Sequence, residues 1–226
     1  TMMGRSEETL ELQAQKLRGE QGVTVSVEEC DVSDAESVSN AFARSVATLG
    51  PVQILVNNAG TAKSRLFTQT TREIWDELIA VNLTGTYLCT SEVIPGMMEA
   101  KAGRIVNVAS SAGLRGYKTM SAYCAAKHGV IGMTRALAQE TAKNGITVNA
   151  VCPSYTDTYL TSLAVKNIVT NLGKSENEAM GMITGVIARG TLITVDEVAS
   201  AVSWLCSPGA SGVTGIALPI SGGEIA

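Results

Sequence analysis

The chain has 226 residues, of which 45% are apolar and 17% charged, and its formal net charge is −4. A chain of this size and composition can bury one large core, so we expect a single domain spanning residues 1–226. The acidic balance, with no basic cluster, argues against a nucleic-acid or anionic-membrane partner. No apolar run approaches the ~20 residues that a bilayer-spanning helix needs, and no signal-peptide layout is present, so we expect a cytoplasmic protein.

Periodic apolar residues predict helices and strands that alternate along the chain. In chain order, we predict a helix at 7–18, a strand at 23–27, a helix from about 31 to 49, a strand at 53–56, a helix from about 71 to 98, a strand at 104–108, a helix at 121–143, a strand at 146–151, a helix at 196–207 and a strand at 216–220. Short strands between long helices indicate right-handed βαβ units, and hence an α/β fold with a doubly wound parallel sheet. The pattern is irregular at 159–189, which predicts a mobile flap over a pocket at about 155–190.

Cysteine and histidine usage excludes several kinds of site. The five cysteines are scattered without C-x-x-C spacing, which favours buried thiols over disulfides or a zinc site. His128 is the only histidine, so Ser-His-Asp and Cys-His nucleophile systems are excluded. We therefore expect no metal and look for acid/base chemistry elsewhere.

Tyr123 and Lys127 lie four residues apart on the predicted helix 121–143, and so share one face of it. An ammonium beside a phenol favours the phenolate, which lowers the phenol's pKa and makes it an acid/base group near neutral pH. Such a pair arises by chance about one time in six in a chain of this composition, so the inference depends on the residues that surround the pair. Ser110 follows a buried strand, at the edge where open α/β sheets bind ligands.

With these residues in order, the chain resembles the short-chain dehydrogenase/reductase family over essentially its whole length, and most resembles its 3-oxoacyl-reductase branch. The matching motifs are Asp31-Val32, Asn57-Asn-Ala-Gly60, Asn82 in 81–86, Ser110, Tyr123-x-x-x-Lys127, the strand 145–153, and Val213-Thr-Gly215 followed by Gly222-Gly223. The resemblance implies a Rossmann-type fold and hydride transfer between a nicotinamide cofactor and a carbonyl or secondary alcohol.

The resemblance also implies a role for each of four catalytic residues. Tyr123 is the acid in reduction and the base in oxidation, and Lys127 supports it while holding the nicotinamide ribose. Ser110 donates a hydrogen bond to the substrate oxygen; Ser111 is its adjacent rival, but Ser110 keeps the family's spacing to Tyr123. Asn82 kinks its helix and anchors a water that connects Lys127 to solvent.

Cofactor binding is implied at residues spread over the chain: Arg5, Asp31, Val32, Asn58, Ala59, Gly60, Tyr123, Lys127, Pro153, Thr156 and Thr158. Asp31 and Val32 lie around the adenine ring, and Asn58 near the adenosine ribose. Gly4 stands where the family's second strand ends, and the guanidinium of Arg5 after it suits a 2′-phosphate. NADP(H) is therefore favoured over NAD(H).

The first strand-helix-strand unit of the family, with its glycine-rich turn, is missing from this sequence. We expect this loss to open the middle of the sheet and to separate the strand at 23–27 from that at 53–56. Because the chain begins with threonine, we expect it to be a stretch of a longer polypeptide, and we expect weak or absent cofactor binding from the 226 residues alone.

The leading interpretation is an NADP(H)-linked oxidoreductase acting on a ketone or secondary alcohol, with a 3-oxoacyl thioester among the candidates. One alternative is an NAD(H)-linked alcohol dehydrogenase. Another is a non-catalytic binding protein that kept the fold and lost the dinucleotide loop. By analogy with the family, we expect a homodimer or homotetramer whose partner is a small-molecule substrate.

Overall fold

In a computed structural model, which describes residues 1–225, six strands and eight α-helices follow one another along the chain. The strands are β1 (Met2–Gly4), β2 (Val27–Glu29), β3 (Ile54–Asn57), β4 (Gly103–Val108), β5 (Ile146–Pro153) and β6 (Ala217–Ile220). The helices are α1 (Glu7–Gln21), α2 (Ala35–Leu49), α3 (Arg72–Ile79), α4 (Gly85–Ala100), α5 (Ser121–Thr141), α6 (Tyr159–Leu172), α7 (Glu176–Thr184) and α8 (Val195–Cys206).

Every strand pair is parallel, which confirms the predicted α/β class. Strands β3, β4, β5 and β6 form one sheet in that order, and β1 and β2 form a separate pair. Phe42 of α2 belongs to the same buried cluster as Ile105 of β4 and Val148 of β5, so the β2–α2 segment shares the core of the large sheet. Strands β4 and β5 are both paired on two sides and form the interior of the large sheet, and β5 is buried along almost its whole length.

The β1–β2 pair corrects two predictions. Met2–Gly4 forms a strand, so the second strand of the expected first unit is present and the prediction that the whole unit is missing was wrong. The strand that pairs with it is Val27–Glu29, with Met2 opposite Val27, whereas the sequence predicted a strand at 23–27. Three residues are too few for a periodic pattern, which is why sequence reasoning missed this strand. Within the described residues, β2 and β3 are not paired, as predicted.

The segment predicted to be irregular is mostly helical. Helices α6 and α7 fill most of the range 155–190, because each has a buried apolar side: Val165 of α6 packs with Ala179 and Ile183 of α7. A capping box between Ser175 and Glu178 starts α7. The irregular sequence pattern thus forms two short helices, and a flap over a pocket at about 155–190 stays a prediction.

Across the part of the chain that the structure describes, every helix is too short or too polar to cross a membrane.

Candidate active site

Asn82 lies in a π-helical turn, Ala80–Thr84, that joins α3 to α4. Its buried amide donates hydrogen bonds to Leu78 O and Thr61 O, both at 2.9 Å, and accepts one from Thr61 N at 3.2 Å. The widened turn frees the Leu78 carbonyl from the regular helical ladder, and the side chain satisfies it. Asn82 thereby fixes the loop after β3 against this helix, at the position where a helix distortion was expected.

Ser110 follows β4 and caps the short 3₁₀ helix Ser111–Gly113, its hydroxyl accepting a hydrogen bond from Ala112 N at 3.1 Å. The same hydroxyl lies close enough to Tyr123 to lower that phenol's pKa by hydrogen bonding. Ser111, its rival, is turned elsewhere: its hydroxyl lies 2.8 Å from that of Tyr117. The structure thus brings Ser110, and not Ser111, to Tyr123.

Tyr123 and Lys127 lie on one face of α5, as their spacing predicts. The Nζ atom of Lys127 is 5.7 Å from the centre of the Tyr123 ring and donates a 2.9 Å hydrogen bond to Val108 O, at the end of β4. Lys127 is only 4% exposed. Helix α5 and the carboxyl end of β4 therefore hold the phenol, the ammonium and the Ser110 hydroxyl in one place.

Burial sets the ionisation of both groups. It raises the pKa of Tyr123, with hydrogen bonding to Ser110 opposing the shift, and it lowers the pKa of Lys127 to about 8. The prediction that Lys127 lowers the pKa of Tyr123 was therefore wrong for the protein alone. Removing a phenolate from water costs more than hydrogen bonding to Ser110 recovers, so Tyr123 is a protonated acid at neutral pH.

Gly60 completes this corner of the site. A side chain there would begin 3.0 Å from Asn82 Oδ1 and 3.6 Å from Lys127 Nζ, so it would crowd the Asn82 amide, and glycine lets the loop after β3 pass close to both groups. An ammonium has three N–H donors, and within the described residues Val108 O accepts one of them. The remaining donors, beside a backbone with no side chain, fit the paired hydroxyls of a ribose.

A cavity of about 370 Å³ lies at the carboxyl ends of β1 and β2. It is lined by Arg5, Glu29, Asp31, Ser37, Asn40 and Arg44. Asp31 accepts hydrogen bonds from the backbone and hydroxyl of Ser33, which lower its pKa, and Arg5 lowers it further. The cavity thus brings Arg5 and Asp31 together, and the guanidinium donors of Arg5 fit a phosphorylated ribose. Val32 follows Asp31 and packs on the core, against Gly85.

The remaining proposed cofactor residues follow β3 and β5 at the same edge of the sheet. Asn58 and Ala59 are exposed in the loop after β3. Pro153 ends β5, the Thr156 hydroxyl donates to Ser154 O at 3.0 Å, and the exposed Thr158 donates to Thr156 O at 3.3 Å. Among residues 1–225, no three histidine, cysteine, aspartate or glutamate side chains cluster as metal ligands would.

Sequence reasoning missed a buried ionic cluster behind the Ser110 loop. The Glu224 side chain is fully buried and contacts Arg115, Tyr117 and Ser154. In the sequence, the only sign of this cluster is a charged residue directly after Gly222-Gly223, and it does not indicate which residues Glu224 contacts. These contacts join segments far apart in the chain, which no local pattern reveals.

Comparison with known proteins assigns the family. A family model described as Enoyl-(Acyl carrier protein) reductase matches residues 2–224. A putative ketoacyl reductase of Streptomyces coelicolor is 38% identical over 97% of this chain and 84% of its own length, and an acetoacetyl-CoA reductase of Rhizobium meliloti is 40% identical over 91% and 81%. The crystal structure of a variant of actinorhodin polyketide ketoreductase with NADPH superimposes with a TM-score of 0.93 at 38% identity, covering 98% of this chain and 85% of that one. The chain therefore belongs to the short-chain dehydrogenase/reductase family of NAD(P)-dependent oxidoreductases, and is of its 3-oxoacyl-reductase type.

Proposed function

We propose that this protein reduces a carbonyl group, that of a 3-oxoacyl thioester being the favoured substrate, at the expense of NADPH. The observation that carries the proposal is the meeting of Tyr123, Lys127 and Ser110 at the carboxyl ends of β4 and β5. The names of the relatives, a ketoacyl reductase and an acetoacetyl-CoA reductase, support the substrate class.

In this proposal, Tyr123 gives its phenolic proton to the carbonyl oxygen, and burial keeps that proton in place at neutral pH. Ser110 donates a hydrogen bond to the same oxygen and stabilises the charge that develops on it. NADPH, when bound, supplies the hydride that the carbonyl carbon receives. Lys127 holds the nicotinamide ribose and supports the phenolate left on Tyr123 after the proton has moved.

The preference for NADPH over NADH rests on Arg5. Its side chain is exposed after β1 and lines the cavity that also contains Asp31, where it can pair with a 2′-phosphate. Asp31 and Val32 flank the adenine, Asn58 to Gly60 border the adenosine ribose and its neighbours, and Pro153, Thr156 and Thr158 meet the nicotinamide end. The structure with NADPH among the similar proteins supports this choice.

The test is to follow NADPH oxidation with a panel of ketones and 3-oxoacyl thioesters, and to repeat it with Tyr123→Phe. We expect thioester-dependent oxidation by the wild type, and a loss of about 10³-fold or more in the variant with NADPH binding retained. A Tyr123→Phe protein that reduces the ketone at the normal rate would rule out the assignment of the acid.

The same panel separates the alternatives. An NAD(H)-linked alcohol dehydrogenase would show faster turnover with NAD⁺ and secondary alcohols than with NADPH and ketones. A non-catalytic binding protein would show no turnover with either cofactor. The buried Lys127 and the contact of Ser110 with Tyr123 favour the enzyme, since a scaffold has no need for a costly buried ammonium.

A further inference from the structure

Glu224 is a fully buried carboxylate close to the active site. Its Oε1 atom accepts a hydrogen bond from the Tyr117 hydroxyl at 2.6 Å and lies 3.3 Å from Nη2 of Arg115. Its Oε2 atom accepts a hydrogen bond from the Ser154 hydroxyl. A carboxylate removed from water needs such partners, and here all three lie on the loops that follow β4 and β5.

The direction of the hydrogen bonds links Glu224 to the loop of Ser110. A phenol has one proton, and an ionised carboxylate can only accept, so Tyr117 donates to Glu224. The Ser111 hydroxyl, 2.8 Å from the phenolic oxygen, must then donate to Tyr117. The chain of hydrogen bonds runs from Glu224 through Tyr117 to Ser111, and Ser111 is the residue bonded covalently to Ser110.

A second link runs to the loop after β5. Ser154 follows Pro153 at the end of β5, which is parallel to β4, so Ser154 lies at the same edge of the sheet as Ser110. Glu224 therefore joins the loop after β4 to the loop after β5. Tyr123 lies beside the first of these loops, within hydrogen-bonding reach of Ser110.

The turn that carries Glu224 is itself held firmly. Gly222 and Gly223 have φ values of +56° and +88°, which disfavour any side chain. A side chain on Gly222 would begin 2.8 Å from Ile187, and one on Gly223 would begin 2.9 Å from Ala188. The backbone of this turn packs tightly against the segment after α7, so the backbone position from which the Glu224 side chain extends is fixed.

We propose that Glu224 is a positioning residue for carbonyl reduction, which ties the loop of Ser110 to the loop after β5 and so keeps the Ser110 hydroxyl at the distance from Tyr123 that proton transfer requires. The inference rests on the proposed function. Hydride and proton transfer need their partners held to well under 1 Å, and misplacement on that scale costs up to about 100-fold in rate. Glu224 touches none of the reacting atoms and acts through Tyr117 and Ser154.

The test compares Glu224→Gln with the wild type and with Glu99→Gln, an exposed glutamate on α4 that serves as the matched control. We expect kcat for the 3-oxoacyl thioester to fall about 10- to 100-fold in Glu224→Gln, with the Kd for NADPH changed less than about twofold. We also expect the primary kinetic isotope effect on kcat, measured with NADPH deuterated at nicotinamide C4, to increase. Misplaced reacting groups slow hydride transfer, so that this step limits the overall rate. Glu99→Gln should match the wild type.

Two further variants keep the inference testable if Glu224→Gln does not fold. Tyr117→Phe cuts the link to Ser111, and Ser154→Ala cuts the link to β5; each should lower kcat and raise the isotope effect in the same direction. Wild-type kcat and isotope effect in all folded variants would overturn the inference while leaving the proposed function intact. A wild-type protein that turns over no carbonyl substrate would overturn the proposed function, and this inference with it.

Discussion

The charge of Lys127 depends on its surroundings, because burial lowers its pKa to about 8. The ammonium is present below that pH and lost above it. We predict that kcat/KM for carbonyl reduction falls as the pH rises through about 8, since the neutral amine no longer supports the phenolate formed on Tyr123. A rate profile from pH 6 to 10 measures this, and Lys127→Arg, if it folds, should remove the fall. A profile that stays level to pH 10 would contradict the role given to the charge.

Arg5 permits a second prediction at the same scale, on cofactor preference. In Arg5→Glu, a carboxylate faces the proposed 2′-phosphate, so we expect the Kd for NADPH to rise about 10- to 100-fold while that for NADH changes little. Fluorescence titration with both cofactors measures the ratio. Lys16→Glu, the same charge reversal on an exposed position of α1, is the control for long-range electrostatics. Equal losses for both cofactors would mean that Arg5 does not discriminate between them.

At the scale of elements, the π turn between α3 and α4 depends on one side chain. Replacing Asn82 with Ala leaves Leu78 O, Thr61 N and Thr61 O without their partner. A buried polar group left unpaired costs about 1–3 kcal/mol, and the half-buried Thr61 groups, which water can reach, cost less. We predict that Asn82→Ala lowers the free energy of unfolding by about 2–4 kcal/mol, measured by urea denaturation. Asn177→Ala, on the exposed side of α7, should change it by less than about 0.5 kcal/mol.

The elements differ in how far their sequences determine them. Strand β5 was predictable because apolar and β-branched residues dominate a short segment that follows the helix-ending Asn144-Gly145. Strand β1 was missed because its three residues become a strand only through pairing with β2. Helices α6 and α7 were missed because each buries only a narrow apolar side against the other, which a search for broad periodicity does not detect.

The same limit applies to the candidate site as a whole. Helical spacing alone predicted that Tyr123 and Lys127 share a face, and chain order placed Ser110 near them. The pKa of Tyr123 was predicted with the wrong sign, because the sequence shows the neighbouring cation but not the depth of burial. Glu224 was missed because its partners at 115–117 and at 154 are brought to it by tertiary structure only.

At the scale of the whole molecule, the two sheets should differ in local stability, that is, in the free energy needed to open them. Strand β5 is paired on both sides and its core residues are almost completely buried, whereas β1 and β2 share only three residue pairs. Local opening therefore costs least at β1–β2 and most at β5. We predict that the backbone amides of Val148 and Ala150 exchange with deuterium at least about 100-fold more slowly than the amide of Cys30. The Cys30 amide donates a hydrogen bond to Gly4 O, at the end of β1.

Native-state exchange followed by mass spectrometry or NMR measures these rates directly. Val106, a buried residue of β4 in the same sheet as β5, serves as an internal reference and should exchange as slowly as Val148. Because Phe42 of α2 packs with Val148 in one core, amides of α2 should be intermediate. Exchange at Cys30 as slow as at Val148 would mean that the β1–β2 pair opens only when the whole domain unfolds, and that the shared core couples the two sheets fully.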